Sequence, residues 1–180
     1  MSDLIVRPAI PADIPAILAI YRPAVIDGTA SWEYEPPDEA EMGRRFEAVT
    51  SAGYPYLVAE RKGHVIGYAY ASAYRTRPGY RFVVENSVYV AADIQRSGAG
   101  RALLAALIDA CTARGYRQMV AVIGDSANQA SIALHRSQGF TFCGVIHAIG
   151  WKHDCWLDSV IMQRALGPGD TAPAPAALHL

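Results

Sequence analysis

The chain has 180 residues, of which 52% are apolar and 18% charged, and its formal net charge is −1. That size and balance fit one α/β domain with a full core and exclude a disordered chain, while near neutrality leaves no electrostatic footprint for nucleic acid. No apolar run approaches the roughly 20 residues of a membrane span.

The first residues, MSDLIVRPAI, lack the basic and long apolar regions of a secretory signal. Cys111, Cys143 and Cys155 are odd in number and form no C-x-x-C pair, so neither a disulfide framework nor a metal site is indicated. A cytoplasmic protein without metal, membrane or nucleic-acid partner is expected.

Residues 5–7 read as a short strand. Ile14, Ile17, Leu18 and Tyr21 then recur at helical spacing behind Asp13, a plausible N-cap. Residues 27–37 (DGTASWEYEPP) read as a loop, after which Asp38 caps a helix to about Thr50. Residues 56–60 and 65–73 form a hairpin, because Lys62-Gly63 supplies the positive φ of a tight reversal. Residues 75–79 make a loop, and 82–90 a long strand rich in Val and Tyr. An apolar helix over 98–114 ends at Gly115. A buried strand over 119–123, a short helix over 128–138 closed by Gly139, and a strand pair over 140–149 and 156–163 complete the pattern. The order βααβββαβαββ predicts one mixed sheet flanked by helices. Residues 1–166 form the domain. From Gly167 the composition turns to GPGDTAPAPAALHL, and residues 167–180 are expected to be a disordered tail.

The chemistry sits where the long strand ends. Gln95-x-x-Gly98-x-Gly100 opens the apolar helix, so backbone N–H groups gather at a positive helix end, and glycines let phosphate oxygens approach. Arg96 and Arg101 add charge. A dinucleotide fold would want a third glycine and a later acid, and a P-loop would want Gly-Lys-Ser/Thr; neither is present.

Gln95-x-x-Gly98-x-Gly100 after Val88-Tyr89-Val90, with the downstream Asn128 to Phe140 segment, resembles the acetyl-CoA signature of the GNAT acetyltransferase superfamily. Tyr74-Arg75-Thr76-Arg77-Pro78-Gly79-Tyr80, Val84-Glu85-Asn86-Ser87 and Gly150-Trp151-Lys152-His153 resemble its phosphinothricin and methionine-sulfoximine acetyltransferase branch. The resemblance spans about residues 4 to 165. It implies a mostly antiparallel sheet with a splayed strand pair holding the acetyl-CoA arm. It also implies direct acetyl transfer to the α-amino group of a small amino-acid analogue, in a homodimer.

On that resemblance Val88, Tyr89 and Val90 hold the pantetheine and acetyl group through their main chain. Arg96, Ser97, Gly98, Ala99, Gly100 and Arg101 bind pyrophosphate, and Asn128 bonds the cofactor arm. Arg75, Thr76, Arg77, Glu85, Asn86 and Ser87 meet the acceptor. Arg75 or Arg77 suits its carboxylate, because arginine binds two oxygens at once.

Glu85 stands on an otherwise apolar strand, where a charge is costly unless partnered. It reads as the base that deprotonates the amine, or as an ion-pair partner of Arg75 or Arg77, or both. The oxyanion would meet the N–H of Val88 or Tyr89. His135 stands where many members of the superfamily carry a tyrosine acid, and helix packing is the competing role. Trp32, Glu33 and Tyr34 would roof the acceptor pocket, with Lys152 and His153 lining it. The alternatives for these are a loop anchor and a surface turn. Acetylation of a peptide N-terminus or polyamine, and a non-catalytic acyl-CoA sensor, are the rival functions.

Overall fold

The computed structural model describes residues 3–94 and 97–180. Strand β1 (Leu4–Pro8) leads through a single turn of 3-10 helix into α1 (Ile14–Ile26). Helix α1 buries Ile17, Leu18, Tyr21 and Val25, one face at the helical period. Helix α2 (Glu39–Ser51) is capped by Asp38, whose Oδ1 accepts from the Glu41 N–H at 2.7 Å, and buries Met42 and Phe46 one turn apart.

Strands β2 (Tyr56–Arg61) and β3 (His64–Ala73) join through Lys62 and Gly63, both at positive φ (52° and 78°), as a two-residue hairpin turn requires. Strand β4 (Val83–Val90), helix α3 (Ala99–Ala113), strand β5 (Gln118–Gly124), helix α4 (Gln129–Ser137) and the pair β6 (Thr141–Lys152) and β7 (Cys155–Ala165) follow. The seven-stranded sheet runs β1-β2-β3-β4-β5-β7-β6, with only β4–β5 parallel. This is the mixed sheet that the order of elements predicts, and the mostly antiparallel one that the resemblance implies.

Helices cover both faces. Leu103, Leu104, Leu107 and Cys111 of α3 pack on Ala69, Ala71, Val84 and Met119. On the other face α1 and α2 pack on Tyr56, Val58 and Tyr68. There Tyr56, Tyr68, Tyr70 and Tyr89 form a stacked ladder, and Tyr21 meets Tyr89 edge-on at 5.1 Å. Among the described residues no helix is long and apolar enough to cross a membrane.

Two local features differ from the sequence reading. Asp13 precedes α1, but its carboxylate does not cap the helix. It takes Arg7 Nη1 and Nη2 at 2.8 and 2.9 Å and the Ile10 N–H at 2.8 Å, because a two-toothed charged partner outcompetes a lone amide. The β6–β7 hairpin runs further than its composition signals, turning on His153 and Asp154 at φ 52° and 56°. Its turn carries no glycine, so the extra residues read as loop in the sequence. The tail forms no helix or strand and lies along the end of α3. The Arg117 guanidinium donates to the Gly169 and Pro173 carbonyls, and the His179 N–H donates to the Arg114 carbonyl.

Candidate active site

Strands β4 and β5 pair only over Val83↔Gln118, Val84↔Met119 and Glu85↔Val120. Beyond Glu85 they diverge, while β4 stays paired to β3 up to Val90. The Val83 carbonyl meets the Tyr74 N–H, and the Ala91 N–H meets the Ile66 carbonyl. Odd-numbered β4 residues therefore turn their backbone toward β3, and beyond the last β4–β5 pair Val88 and Val90 turn theirs into the gap. These are strand N–H and C=O groups presented to a cleft rather than to a neighbour.

Side chains alternate accordingly. Glu85, Ser87 and Tyr89 project toward the α1 side, and Asn86 and Val88 toward α3 and α4. Asn86 is 6% exposed and bridges the point of divergence: its Nδ2 donates to the Val120 carbonyl at 3.0 Å, and its Oδ1 lies 2.9 Å from His135 Nε2. His135 Nδ1 lies 2.8 Å from the Ser131 carbonyl. Burial pushes the His135 pKa down, opposed by that Ser131 bond.

Glu85, Asn86, Ser87, Val88 and Tyr89 form one wall of a cavity of about 370 Å³. Ala121–Gly124, Asn128, Ser131 and His135 form the second wall, and Tyr21 with Ala30–Glu33 the third. Burial pushes the Glu85 carboxyl up from the ordinary range, and the Arg75 charge pulls it partly back. Among the described residues no ion pair holds Glu85. A carboxyl poised this way at a cleft is suited to taking a proton.

The cavity opens into a larger groove of about 1240 Å³, the two sharing Ala30, Val88, Tyr89, Asn128 and Ser131. The groove runs past Val90 to Ser97, Gly98, Ala99, Gly100 and Arg101 at the start of α3. Gly98 caps that helix at φ +85°, the left-handed region glycine tolerates, with no side-chain capping bond. The first turn of α3 thus offers backbone N–H groups at its positive end. Asn128 caps α4, accepting from the Ser131 N–H and donating to the Gly124 carbonyl, both at 3.2 Å, and lines both spaces.

The structure thus gathers Glu85, Asn86 and Ser87 in the cavity, and Val88, Tyr89, Val90, Ser97, Gly98, Ala99, Gly100, Arg101 and Asn128 along the groove. Gln95 and Arg96 lie outside the described residues. Arg75, Thr76 and Arg77 are exposed on the loop before β4 and do not line the cavity; Arg75 stacks over Tyr74, 5.2 Å from the ring centre. Of the two N–H groups considered for an oxyanion, that of Val88 faces the gap and that of Tyr89 faces β3. The sequence reading missed Tyr21, Ser31 and Ser131 in the cavity walls. Tyr21 and Ser131 sit in helical patterns that read as packing, and Ser31 carries no signal of its own.

The chain matches the acetyltransferase (GNAT) family over residues 16–140. It is 52% identical over 159 residues to a phosphinothricin N-acetyltransferase of Alcaligenes faecalis, covering 88% of this chain and 81% of that protein. It is 45% identical to an L-methionine sulfoximine/L-methionine sulfone acetyltransferase of Pseudomonas paraeruginosa, covering 93% and 98%. A GNAT superfamily phosphinothricin acetyltransferase from Sinorhizobium meliloti, solved in complex with AcCoA, superposes with a TM-score of 0.94 at 48% identity, covering 98% of this chain and 96% of that one. With the splayed strands, the glycine-capped helix and these similarities in hand, the chain belongs to the GNAT family of N-acetyltransferases.

Proposed function

We propose that this enzyme transfers the acetyl group of acetyl-CoA to the α-amino group of a small amino-acid analogue of the phosphinothricin, methionine sulfoximine or methionine sulfone type. One observation carries the reading: a poised carboxylate, Glu85, and an unpaired strand N–H, that of Val88, face a cavity that opens onto the groove ending at Gly98. The relatives' names supply the acceptor class.

Pyrophosphate binds the first turn of α3 at Ser97–Arg101 together with Arg96, and the pantetheine arm lies along the free backbone edge of Val88 and Val90, with Asn128 beside it. Glu85 takes a proton from the acceptor ammonium, directly or through water. The freed nitrogen attacks the thioester carbonyl carbon, and the Val88 N–H receives the developing oxyanion. The C–S bond then breaks, the sulfur leaves as thiolate, and the attacking nitrogen gives up its second proton to solvent, leaving a neutral amide. Both substrates are bound together, so no enzyme nucleophile takes part. Asn86 and Ser87 border the acceptor, and Arg75 and Arg77 reach its carboxylate by a movement of their exposed loop, with Thr76 between them.

The enzyme works in the cytoplasm as a homodimer. The exposed Phe142, Ile146, Ile149, Trp151 and Trp156 on β6–β7 form the apolar surface a second copy would cover. A thiol-release assay with acetyl-CoA tests the activity against methionine sulfoximine, methionine sulfone, phosphinothricin, ordinary amino acids, spermidine and an alanine-starting peptide. Turnover confined to the analogues supports the reading. Turnover of only the amine or peptide replaces the acceptor, and silence throughout points to an acyl-CoA sensor.

A further inference from the structure

Lys152 is one of only two lysines in the chain, and it is 3% exposed. It stands at the tip of the β6–β7 hairpin, and its ammonium donates to the Gly28 carbonyl at 2.8 Å and the Ser31 carbonyl at 2.7 Å. Among the described residues no carboxylate lies within ion-pair distance of it. A buried cation held by neutral carbonyls is an expensive way to fasten a loop. What it fastens is the segment between α1 and α2 that supplies the third wall of the acceptor cavity.

A second, independent feature joins the same two segments. The Trp32 ring packs against Gly150, where any Cβ would collide with it, and borders Gly124, where a Cβ would come within 3.2 Å of Cζ2 and within 2.6 Å of the Thr29 carbonyl oxygen. Two glycines on neighbouring parts of the sheet thus leave a seat for the ring. The clasp continues at Tyr34, whose hydroxyl donates to the Trp151 carbonyl at 2.7 Å. From the clasped Ser31, Oγ meets the Tyr21 hydroxyl at 2.8 Å inside the cavity.

We propose that Lys152 is a positioning residue for the acceptor: by clasping Gly28 and Ser31 while Gly150 seats Trp32, it sets the width of the cavity opposite Glu85 and so selects among acceptor side chains. The inference rests on reading that cavity as the acceptor site. The clasped Gly28 also borders the donor groove, but among the described residues no hydrogen bond joins the clasp to Ser97–Arg101, so its main effect falls on the acceptor rather than on the donor phosphates.

The test compares steady-state constants of wild type, Lys152→Met, Lys152→Arg and Gly150→Ala over acceptors of graded side-chain size. Lys152→Met is expected to raise the acceptor KM by about tenfold or more and to reorder the acceptors, while the acetyl-CoA KM stays within about twofold. Lys152→Arg, which keeps two donors, should recover part of the discrimination. Gly150→Ala should also reorder the acceptors, and should add little once Trp32 is replaced by Ala. A folded Lys152→Met with unaltered acceptor ranking overturns the proposal, as does a parallel loss for both substrates that follows the loss of folded protein. If wild type turns over none of the amino-acid analogues, the acceptor reading fails by itself. The clasp is then judged by hydrogen exchange across residues 27–34, faster in Lys152→Met if it stands and unchanged if it does not.

Discussion

Asn86 and His135 hold the mouth of the strand gap between them, Oδ1 to Nε2 at 2.9 Å, with the Asn86 amide reaching across to the Val120 carbonyl at 3.0 Å. With its proton on Nε2 the ring donates to Asn86, and Nδ1 is left to the Ser131 hydroxyl at 3.4 Å. A second proton finds the Ser131 carbonyl waiting at 2.8 Å. Asn86→Ala leaves His135 Nε2 without its partner and takes one donor from the Val120 carbonyl, both in a buried setting. A loss of about 2–4 kcal/mol is expected, read by urea unfolding. A stability within error of wild type would remove the bridge from the account.

His135 titration has a defined sign. Its pKa is lowered in the folded protein, chiefly by burial, so the stability it contributes is present above the unfolded value and lost as the pH falls through the folded one. Wild type should lose stability below about pH 6.5 more steeply than His135→Gln, measured as melting temperature against pH. Parallel curves would refute this.

Glu85→Gln should lower kcat by roughly a hundredfold at neutral pH, with less loss at high pH where free amine is plentiful. Burial raises the Glu85 pKa. The acid limb of wild-type kcat/KM should therefore lie above the ordinary glutamate value of about 4.3. The same raised pKa means that the ionised side chain weakens the fold above that pH, so Glu85→Gln should melt higher than wild type at pH 7. A variant as active as wild type at every pH would end the role of Glu85 as base.

A Cβ at Gly98 meets nothing within 4 Å, but the residue sits at φ +85°. Gly98→Val thus strains the backbone by roughly 1–2 kcal/mol without a steric clash, and displaces the N–H groups at the head of α3. The acetyl-CoA KM should rise by about tenfold while the acceptor KM holds. Isothermal titration with CoA gives the same comparison without turnover.

Arg75→Ala and Arg77→Ala remove exposed side chains. Each should leave stability within about 0.5 kcal/mol of wild type. Each should also raise the KM of a carboxylate-bearing acceptor and spare that of the corresponding amine without the carboxylate. Equal effects on both acceptors would detach these arginines from the carboxylate.

The elements and their order were legible in the sequence because they are local: Asp38 before an apolar period, Lys62-Gly63 between two β-rich runs, Gly98 and Gly115 at either end of one helix. The glycine-opened start of α3 was legible for the same reason, since it is a run of consecutive residues. Placement across the sheet was not. That Val88 rather than Tyr89 turns its N–H to the gap depends on the pairing phase of β4 with β3, which no residue type encodes. That Lys152 is a buried clasp rather than a surface turn depends on a hairpin reaching a loop more than a hundred residues away in sequence. That Asn86 meets His135 depends on α4 crossing the end of β4. Residue type and spacing decide which chemistry a segment can offer; only the packing of distant segments decides which groups of that chemistry face one another.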